Sequence, residues 1–248
     1  MKALDVSETG RFTTLAGIYN AGRPGYPPEV ADFIYQGTAP EKLVVADLGA
    51  GTGTSSVLLA ERGASVFAVE PNAAMRAKAK AAPGVSWIDG TAEATTLPDA
   101  SVDIVTAFQA FHWFERPAIF TEMVRILKPG GRAAVVFYER DEQDPFALAY
   151  GKIVRAFATD ATEQQRADAL EAFATYAGWK RVRRASIPNV QTFDRAGMDD
   201  RVRSSSYLPH TGPDSERLHQ AVEAMFVQFA RDGRATMALQ NLVVVGEP

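Results

Sequence analysis

Cysteine is absent from this 248-residue sequence, and histidine occurs only 3 times. Without cysteine the protein has no disulfide, no thiolate metal ligand and no cysteine nucleophile, and we predict no metal site. No apolar run approaches the roughly 20 residues of a membrane helix, and the N-terminus lacks the apolar segment of a signal peptide. The formal net charge of −4 gives no general attraction to nucleic acid. We therefore expect a cytoplasmic protein with neither membrane nor nucleic acid as a partner.

The first half of the chain alternates short apolar runs with helical patterns. Strands are predicted at 43–46, 65–69, 85–88, 102–108 and 133–138, and helices at 54–62, 72–82 and 119–127. Lys128-Pro129-Gly130-Gly131 is predicted to stop the last of these helices. Regular alternation of strands and helices favours a parallel sheet with helices on both faces.

The last hundred residues show a different pattern. Helices are predicted at 145–159 and 164–176, strands at 182–193 and 239–245, and an apolar helical stripe from Leu218 to Phe229. About 45 residues separate the two late strands, which is too long for a hairpin loop, so this segment is expected to form covering helices. We interpret 1–248 as a single domain, with residues 1–40 and about 194–234 covering a core at 40–140.

A glycine-rich turn follows the first predicted strand, with the sequence Asp47-Leu48-Gly49-Ala50-Gly51-Thr52-Gly53. Ligands of open α/β sheets bind at the carboxyl ends of strands, and glycines let a ligand approach the backbone closely. The third glycine of a dinucleotide fingerprint would fall at Thr54, which counts against a dinucleotide. Glu70 ends the second strand, where a carboxylate can accept ribose hydroxyls. An ordinary tight turn and a solvated acid remain the alternatives.

Five ordered motifs over roughly residues 40–140 resemble class I S-adenosylmethionine-dependent methyltransferases. They are Val45–Gly53, Val69–Asn72 with Met75, Gly90–Glu93 with Leu97-Pro98, Ser101–Val105 and Leu127–Gly131. Three further stretches resemble the small-molecule group that includes trans-aconitate-type methyltransferases. They are Phe12–Pro27, Gln109–Phe114 and Ser205–Pro209.

The resemblance implies a Rossmann-like, seven-stranded, mostly parallel sheet with a helical C-terminal cover, and S-adenosylmethionine as cofactor. Asp47 would stabilise the glycine turn and approach the methionine ammonium, Glu70 would hold the ribose diol, and Gln109 would lie beside the methionine part. The full set of implied cofactor contacts is Tyr19, Arg23, Asp47, Gly49, Ala50, Gly51, Gly53, Glu70, Pro71, Met75, Thr91, Ala92, Glu93 and Gln109.

The predicted reaction is methyl transfer to a small molecule, with O-methylation of a carboxylate or hydroxyl as the leading hypothesis. His112 is the first candidate for a general base, because it follows the fourth strand at the ligand edge, and Tyr207 is a weaker one. A hydrogen-bonded structural histidine is the alternative for His112. The competing functions are an N- or C-methyltransferase of a secondary metabolite, a dinucleotide-dependent oxidoreductase, and a non-catalytic binding protein.

Overall fold

The computed structural model describes residues 24–79 and 81–248. Within them a seven-stranded sheet has the strand order β3-β2-β1-β4-β5-β7-β6. The strands are β1 Val44–Leu48, β2 Ser65–Val69, β3 Val85–Ile88, β4 Val102–Phe108, β5 Leu127–Arg140, β6 Arg181–Phe193 and β7 Ala235–Glu247. The pairs β1–β2, β1–β4, β2–β3 and β4–β5 are parallel. The predicted α/β class with a mostly parallel sheet is confirmed.

Several of the helices begin with a proline in the first turn or after a side chain that accepts from N–H groups of that turn. They are α1 Pro28–Tyr35, α2 Thr54–Glu61, α3 Ala73–Lys78, α4 Ala118–Ile126, α5 Pro145–Phe157, α6 Thr162–Ala174, α7 Arg195–Arg203 and α8 Gly212–Phe229. Asn72 caps α3 by accepting from the N–H groups of Ala74 and Met75. None of the helices in the described ranges is long and apolar enough to cross a membrane.

The chain divides into two compact units. The sheet unit comprises residues 26–138, 163–187 and 241–248, and the described part of the helical unit comprises 24–25, 139–162 and 188–240. Strands β5, β6 and β7 each contribute residues to both units. The predicted core of 40–140 falls almost wholly in the sheet unit, and the predicted cover of about 194–234 falls in the helical unit. The single-domain interpretation stays a prediction.

The sheet unit has an apolar core on each face of the sheet. Ala46 and Leu48 of β1 belong to one core, whereas Val45 belongs to the other. Because successive side chains of a strand point to opposite faces, the two cores lie on opposite sides of the sheet. Helices α4 and α6 contribute to the first core, and α1 and α2 to the second. Helices on both faces were predicted and are confirmed for this unit.

The helical unit has a core of its own. Helices α5, α7 and α8 pack their buried faces together with the first part of β7. The buried residues of α8 include Leu218, Val222, Met225 and Phe226, which carry the apolar stripe of the sequence. The segment between the two late strands is therefore helical, as predicted.

Several boundaries differ from the sequence predictions; β7, for example, begins at Ala235 rather than at Leu239. Helix α3 ends at Lys78 rather than near Ala82, because Ala79 has an extended backbone with φ −67° and ψ 140°. Helix α4 ends at Ile126, just before the Lys128–Gly131 segment predicted to stop it, but strand β5 begins at Leu127 rather than at Ala133. Val102 pairs with Leu127 and Ile104 pairs with Arg132, with a register shift between them. Residues 128–131 thus form a bulge within the strand rather than a separate turn. The one or two helical turns that the sequence allows at 12–19 lie outside the described residues.

Candidate functional site

The turn between β1 and α2 is built from left-handed glycines. Gly49, Gly51 and Gly53 have φ values of +66°, +59° and +89°, a region that glycine adopts without steric cost. The N–H groups of Gly49 and Ala50 both donate to the carbonyl oxygen of Val69, at 2.9 and 3.1 Å. The turn is thereby fixed to the end of β2.

The three glycines have different surroundings. A Cβ atom built on Gly49 would lie 2.7 Å from the Ala110 Cβ, and one on Gly53 would lie 2.9 Å from the Trp87 ring. A Cβ atom on Gly51 would meet no atom of the described residues within 4 Å. Gly49 and Gly53 are therefore required by packing, whereas Gly51 leaves an open side from which a ligand can approach the backbone.

Glu70 lies next to this open side. Its Oε2 accepts from the N–H of Gly51 and its Oε1 accepts from the N–H of Asn72, each at 2.9 Å. The residue is 8% exposed, and burial raises the pKa of its carboxyl group while the two N–H donors oppose that rise. Each carboxylate oxygen can accept more than one hydrogen bond. Glu70 thus combines support of the turn with remaining capacity for ligand hydroxyls.

Asp47 lies beneath the turn and has no exposed surface. Its Oδ2 accepts from the hydroxyls of Ser55 and Ser56 at 2.7 and 2.6 Å, and its Oδ1 accepts from the Thr106 hydroxyl at 2.8 Å. Burial raises the pKa of the Asp47 carboxyl group, and the three hydroxyl donors counteract that rise. Asp47 thus connects β1 to the first turn of α2 and to β4. The hydroxyls of Ser55, Ser56 and Thr106 form a hydroxyl cage around Asp47, and this cage fixes where the glycine turn begins.

The loop after β3 is anchored to α4 by a polar network. Glu122 accepts from the backbone N–H and the hydroxyl of Thr95, at 2.8 and 2.6 Å, and pairs with Arg125 at 2.7 Å. These contacts lower the pKa of the Glu122 carboxyl group against the opposing effect of burial. Glu93 accepts from the N–H of Glu115 at 2.8 Å. The loop is therefore held at both α4 and the segment that follows β4.

The segment after β4 is a short 3-10 helix, Phe111–Trp113. Phe111 is fully buried, and its ring contacts those of Phe120 and Phe173 with centroids 5.6 and 5.4 Å apart. The ring of His112 lies 5.5 Å from that of Phe137. Anchoring by Phe111 fixes the position of the half-buried His112 at the carboxyl ends of β4 and β5.

The sequence-predicted residues fall into three groups. Most of them lie at the carboxyl ends of strands in the sheet unit, with the loops that follow. This group comprises Asp47, Gly49, Ala50, Gly51, Gly53, Glu70, Pro71, Met75, Thr91, Ala92, Glu93, Gln109 and His112. Tyr207 is 3% exposed within the apolar core of the helical unit. Tyr19 and Arg23 lie outside the described residues.

Two features of the site were missed in the sequence. The hydroxyl cage of Asp47 has one visible signal, because Thr106 is a polar residue inside the otherwise apolar run of β4. Glu122 is a buried acid in α4, and it occurs within the apolar pattern that predicted the helix. Neither signal identifies the hydrogen-bond partner, which lies far away in sequence in both cases.

The strand order separates this sheet from the dinucleotide fold. The dinucleotide order is 3-2-1-4-5-6, whereas here β7 is inserted between β5 and β6. The backbone N–H of Lys180, before β6, donates to the carbonyl oxygen of Glu247 at 2.8 Å, and the hydroxyls of Thr192 and Thr236 lie 2.9 Å apart. Residue numbers therefore increase along β6 while those of the facing residues decrease along β7, so the two strands are antiparallel.

Comparison with known proteins gives matches to methyltransferases. Residues 46–135 match the family model described as a methyltransferase domain. An uncharacterised methyltransferase of Mycobacterium tuberculosis is 41% identical over 144 residues, which cover 58% of this chain and 58% of that protein. The demethylmenaquinone methyltransferase of Beutenbergia cavernae is 35% identical over 117 residues, covering 46% and 49%. The chain spans less than two thirds of these curated relatives.

Solved structures extend the likeness to nearly the whole chain. A protein of Anaeromyxobacter dehalogenans, provisionally described as a type II methyltransferase, has a TM-score of 0.70 at 25% identity, covering 91% of this chain and 97% of that one. A methyltransferase provisionally assigned to antibiotic biosynthesis in Anabaena variabilis has a TM-score of 0.58 at 22% identity, covering 93% and 100%. The chain therefore has the Rossmann-like fold of these methyltransferase structures, and its residues 46–135 match a methyltransferase domain.

Proposed function

We propose that this protein transfers a methyl group from S-adenosylmethionine to a small molecule. The observation that carries the proposal is the open side of Gly51 beside the buried carboxylate of Glu70. The N–H of Gly51 lies 2.9 Å from Glu70 Oε2, so a ligand that contacts this backbone also reaches the carboxylate. The match of residues 46–135 to a methyltransferase domain supports the same conclusion.

The residues at the site fit this cofactor. Glu70 would accept the ribose hydroxyls, and Gly51 leaves the space that the adenosyl group needs beside the turn. The half-buried loop residues Thr91 and Glu93, with the buried Ala92 between them, would lie along the adenine. Asp47 would act by holding the turn in place, since all its described contacts are hydroxyls of the protein.

The cofactor would supply a methyl carbon that is already electrophilic because it is bonded to a sulfonium. The acceptor atom bonds to this carbon, and the carbon–sulfur bond breaks with its electron pair left on the sulfur. The protein mainly aligns the reacting atoms, which lowers the activation barrier by roughly 7–11 kcal/mol in favourable cases.

We propose O-methylation of a carboxylate or hydroxyl. A carboxylate needs no base, whereas a hydroxyl proton would pass to a ring nitrogen of His112. N- or C-methylation of a secondary metabolite is the alternative.

Calorimetry with three ligands tests the cofactor. We expect S-adenosylmethionine and S-adenosylhomocysteine to bind with one-site isotherms, because both present an adenosyl ribose to Glu70. NADH should not bind, because the G-x-G-x-G spacing lacks the third glycine of the dinucleotide fingerprint. Binding of NADH without binding of either sulfur ligand would refute the proposed function.

Alanine substitution at two glycines separates binding from folding. Gly51→Ala places a methyl group in open space, so we expect a stability loss of only about 1–2 kcal/mol from the left-handed backbone. Its affinity for S-adenosylhomocysteine should fall more than tenfold, because the methyl group occupies the ligand side. Gly49→Ala should lose more stability, since its Cβ would also clash with Ala110. Denaturant unfolding and calorimetry measure both effects. Wild-type affinity in Gly51→Ala would show that the open side is not the binding side.

A further inference from the structure

Helices α7 and α8 of the helical unit border a cleft with a volume of about 240 Å³. The floor of this cleft is apolar and sheltered, because Met198, Val222 and Phe226 are 1%, 5% and 4% exposed. An apolar cavity of about 150 Å³ is enough to hold benzene, so the α7–α8 cleft has room for one substituted aromatic ring. The residues that line it belong to the helical unit, whereas Glu70 and the glycine turn belong to the sheet unit.

Two ion pairs connect the helices at the mouth of the cleft. Arg195 Nη1 lies 2.7 Å from Glu223 Oε1, and His219 Nδ1 lies 2.8 Å from Asp199 Oδ1. On each helix the two residues are four positions apart, so the pairs lie about one turn from each other on antiparallel helices. Their side chains are between 32% and 70% exposed, and exposed pairs add little stability. Polar groups of both signs therefore surround an apolar floor, which is the composition of a small-molecule site.

The charges at the mouth are balanced. Asp199 also pairs with Arg203 on its own helix, so two guanidinium groups match the carboxylates of Asp199 and Glu223 when His219 is neutral. A carboxylate that enters the cleft would meet two carboxylates, and an ammonium group would meet the guanidinium of Arg195. Since each charged group at the mouth already has a partner, the cleft favours an uncharged ligand.

His219 adds one directional hydrogen-bonding group. A carboxylate at Nδ1 favours the neutral tautomer in which Nδ1 donates, and this tautomer leaves Nε2 as an acceptor. The described partner of the imidazole is Asp199, at Nδ1, and no described group forms a hydrogen bond with Nε2. The Asp199–His219 pair therefore orients an acceptor that a ligand hydroxyl can use.

Together these features define a ligand class. Aromatic rings pack favourably against phenylalanine and against the methionine thioether, and both are present in Phe226 and Met198. We propose that the α7–α8 cleft binds a phenol, with its ring against the apolar floor and its hydroxyl donating to His219 Nε2. This binding site is separate from the proposed methyl transfer and does not rest on it.

Four probes on one scaffold test the ligand class by NMR titration of the isotope-labelled full chain. They are p-cresol, which has a hydroxyl, toluene, which has no polar group, 4-methylbenzoate, which has a carboxylate, and 4-methylbenzylamine, which has an ammonium group. We expect p-cresol to shift the amide signals of α7 and α8 and to bind at least about fivefold more tightly than either charged probe. These shifts should persist with saturating S-adenosylhomocysteine, because the candidate cofactor turn does not line the cleft.

His219→Phe tests the hydroxyl contact, since it keeps a ring and removes the acceptor. The quantity compared is the ratio of the affinities for p-cresol and toluene, because both probes experience the same change in apolar fit. We expect this ratio to fall at least about fivefold in His219→Phe. His210→Phe is the matched control, because His210 belongs to the same unit and does not line the cleft, and its ratio should stay within twofold of wild type.

The contrary results are specific. Absence of p-cresol binding, shifts confined to residues outside α7 and α8, or displacement of p-cresol by S-adenosylhomocysteine would overturn the proposed site. Tighter binding of the benzoate or the amine would overturn the ligand class, and an unchanged ratio in His219→Phe would overturn the contact with Nε2. If His219→Phe does not fold, the comparison of the four probes in wild-type protein still decides the site and the ligand class.

Discussion

Glu70→Ala is expected to weaken binding of S-adenosylmethionine at least tenfold. The substitution removes a charged acceptor, and hydrogen bonds to charged groups contribute about 1.5–3 kcal/mol each. A loss of about 1.4 kcal/mol already corresponds to a tenfold change in Kd. Calorimetry at neutral pH measures the effect. Glu171→Ala is the matched control, because Glu171 is an exposed acid on α6 that pairs with Arg184.

Two observations separate the loss of ribose contacts from a disturbed turn. Glu70→Gln keeps the shape of the side chain and one of the two acceptor oxygens, so it should disturb the turn less than Glu70→Ala does while its affinity still falls. Burial raises the pKa of the Glu70 carboxyl group. Affinity for S-adenosylmethionine should be present above this raised pKa and lost as the pH falls through it. The loss should therefore occur at a higher pH than it would for an ordinary glutamate. This loss should be absent in Glu70→Gln. An unchanged Kd in Glu70→Ala would contradict the assignment.

Asp47→Ala is expected to cause the largest loss of stability, at least about 3 kcal/mol. Three buried hydroxyls, from Ser55, Ser56 and Thr106, would lose their common acceptor. Each unsatisfied buried group costs about 1–3 kcal/mol, and the removed carboxylate also leaves a cavity. Denaturant unfolding followed by circular dichroism measures the change.

Asp99→Ala provides the control for Asp47. The Asp99 side chain is 80% exposed and pairs with Arg125, and exposed ion pairs contribute only about 0–1 kcal/mol. If Asp47→Ala does not fold, Thr106→Val tests the same cage with a smaller change, since it removes a single donor. Equal stability of Asp47→Ala and Asp99→Ala would mean that the cage does not hold the turn.

The fold was predictable because apolar runs and helical patterns alternate with little ambiguity. The bounds of β2, β3 and β4 match the predicted strands at 65–69, 85–88 and 102–108. The bulge at 128–131 was not predicted, because Pro129-Gly130-Gly131 is equally typical of a turn. The division into two units also gives no sequence signal, since β5, β6 and β7 continue from one unit into the other.

The candidate site was predictable in its backbone and less so in its side chains. The glycine spacing and Glu70 identify the turn, because a backbone with positive φ favours glycine and the glycines are visible in the sequence. The left-handed φ of Gln109, and its amide without a partner among the described residues, cannot be recognised in this way, because a glutamine after a strand is common in sequences. The partners of Asp47 depend on β4 lying beside β1, which only the sheet order determines.

The contact between Gly49 and Ala110 restricts how this sequence can change over evolutionary time. The Ala110 methyl group already occupies the space that a Cβ on Gly49 would need. Any residue with a Cβ at position 49 would therefore clash with the Cβ of the residue at position 110, unless that residue is glycine. We therefore expect homologues to keep glycine at position 49 wherever position 110 carries a side chain and position 49 keeps this left-handed backbone.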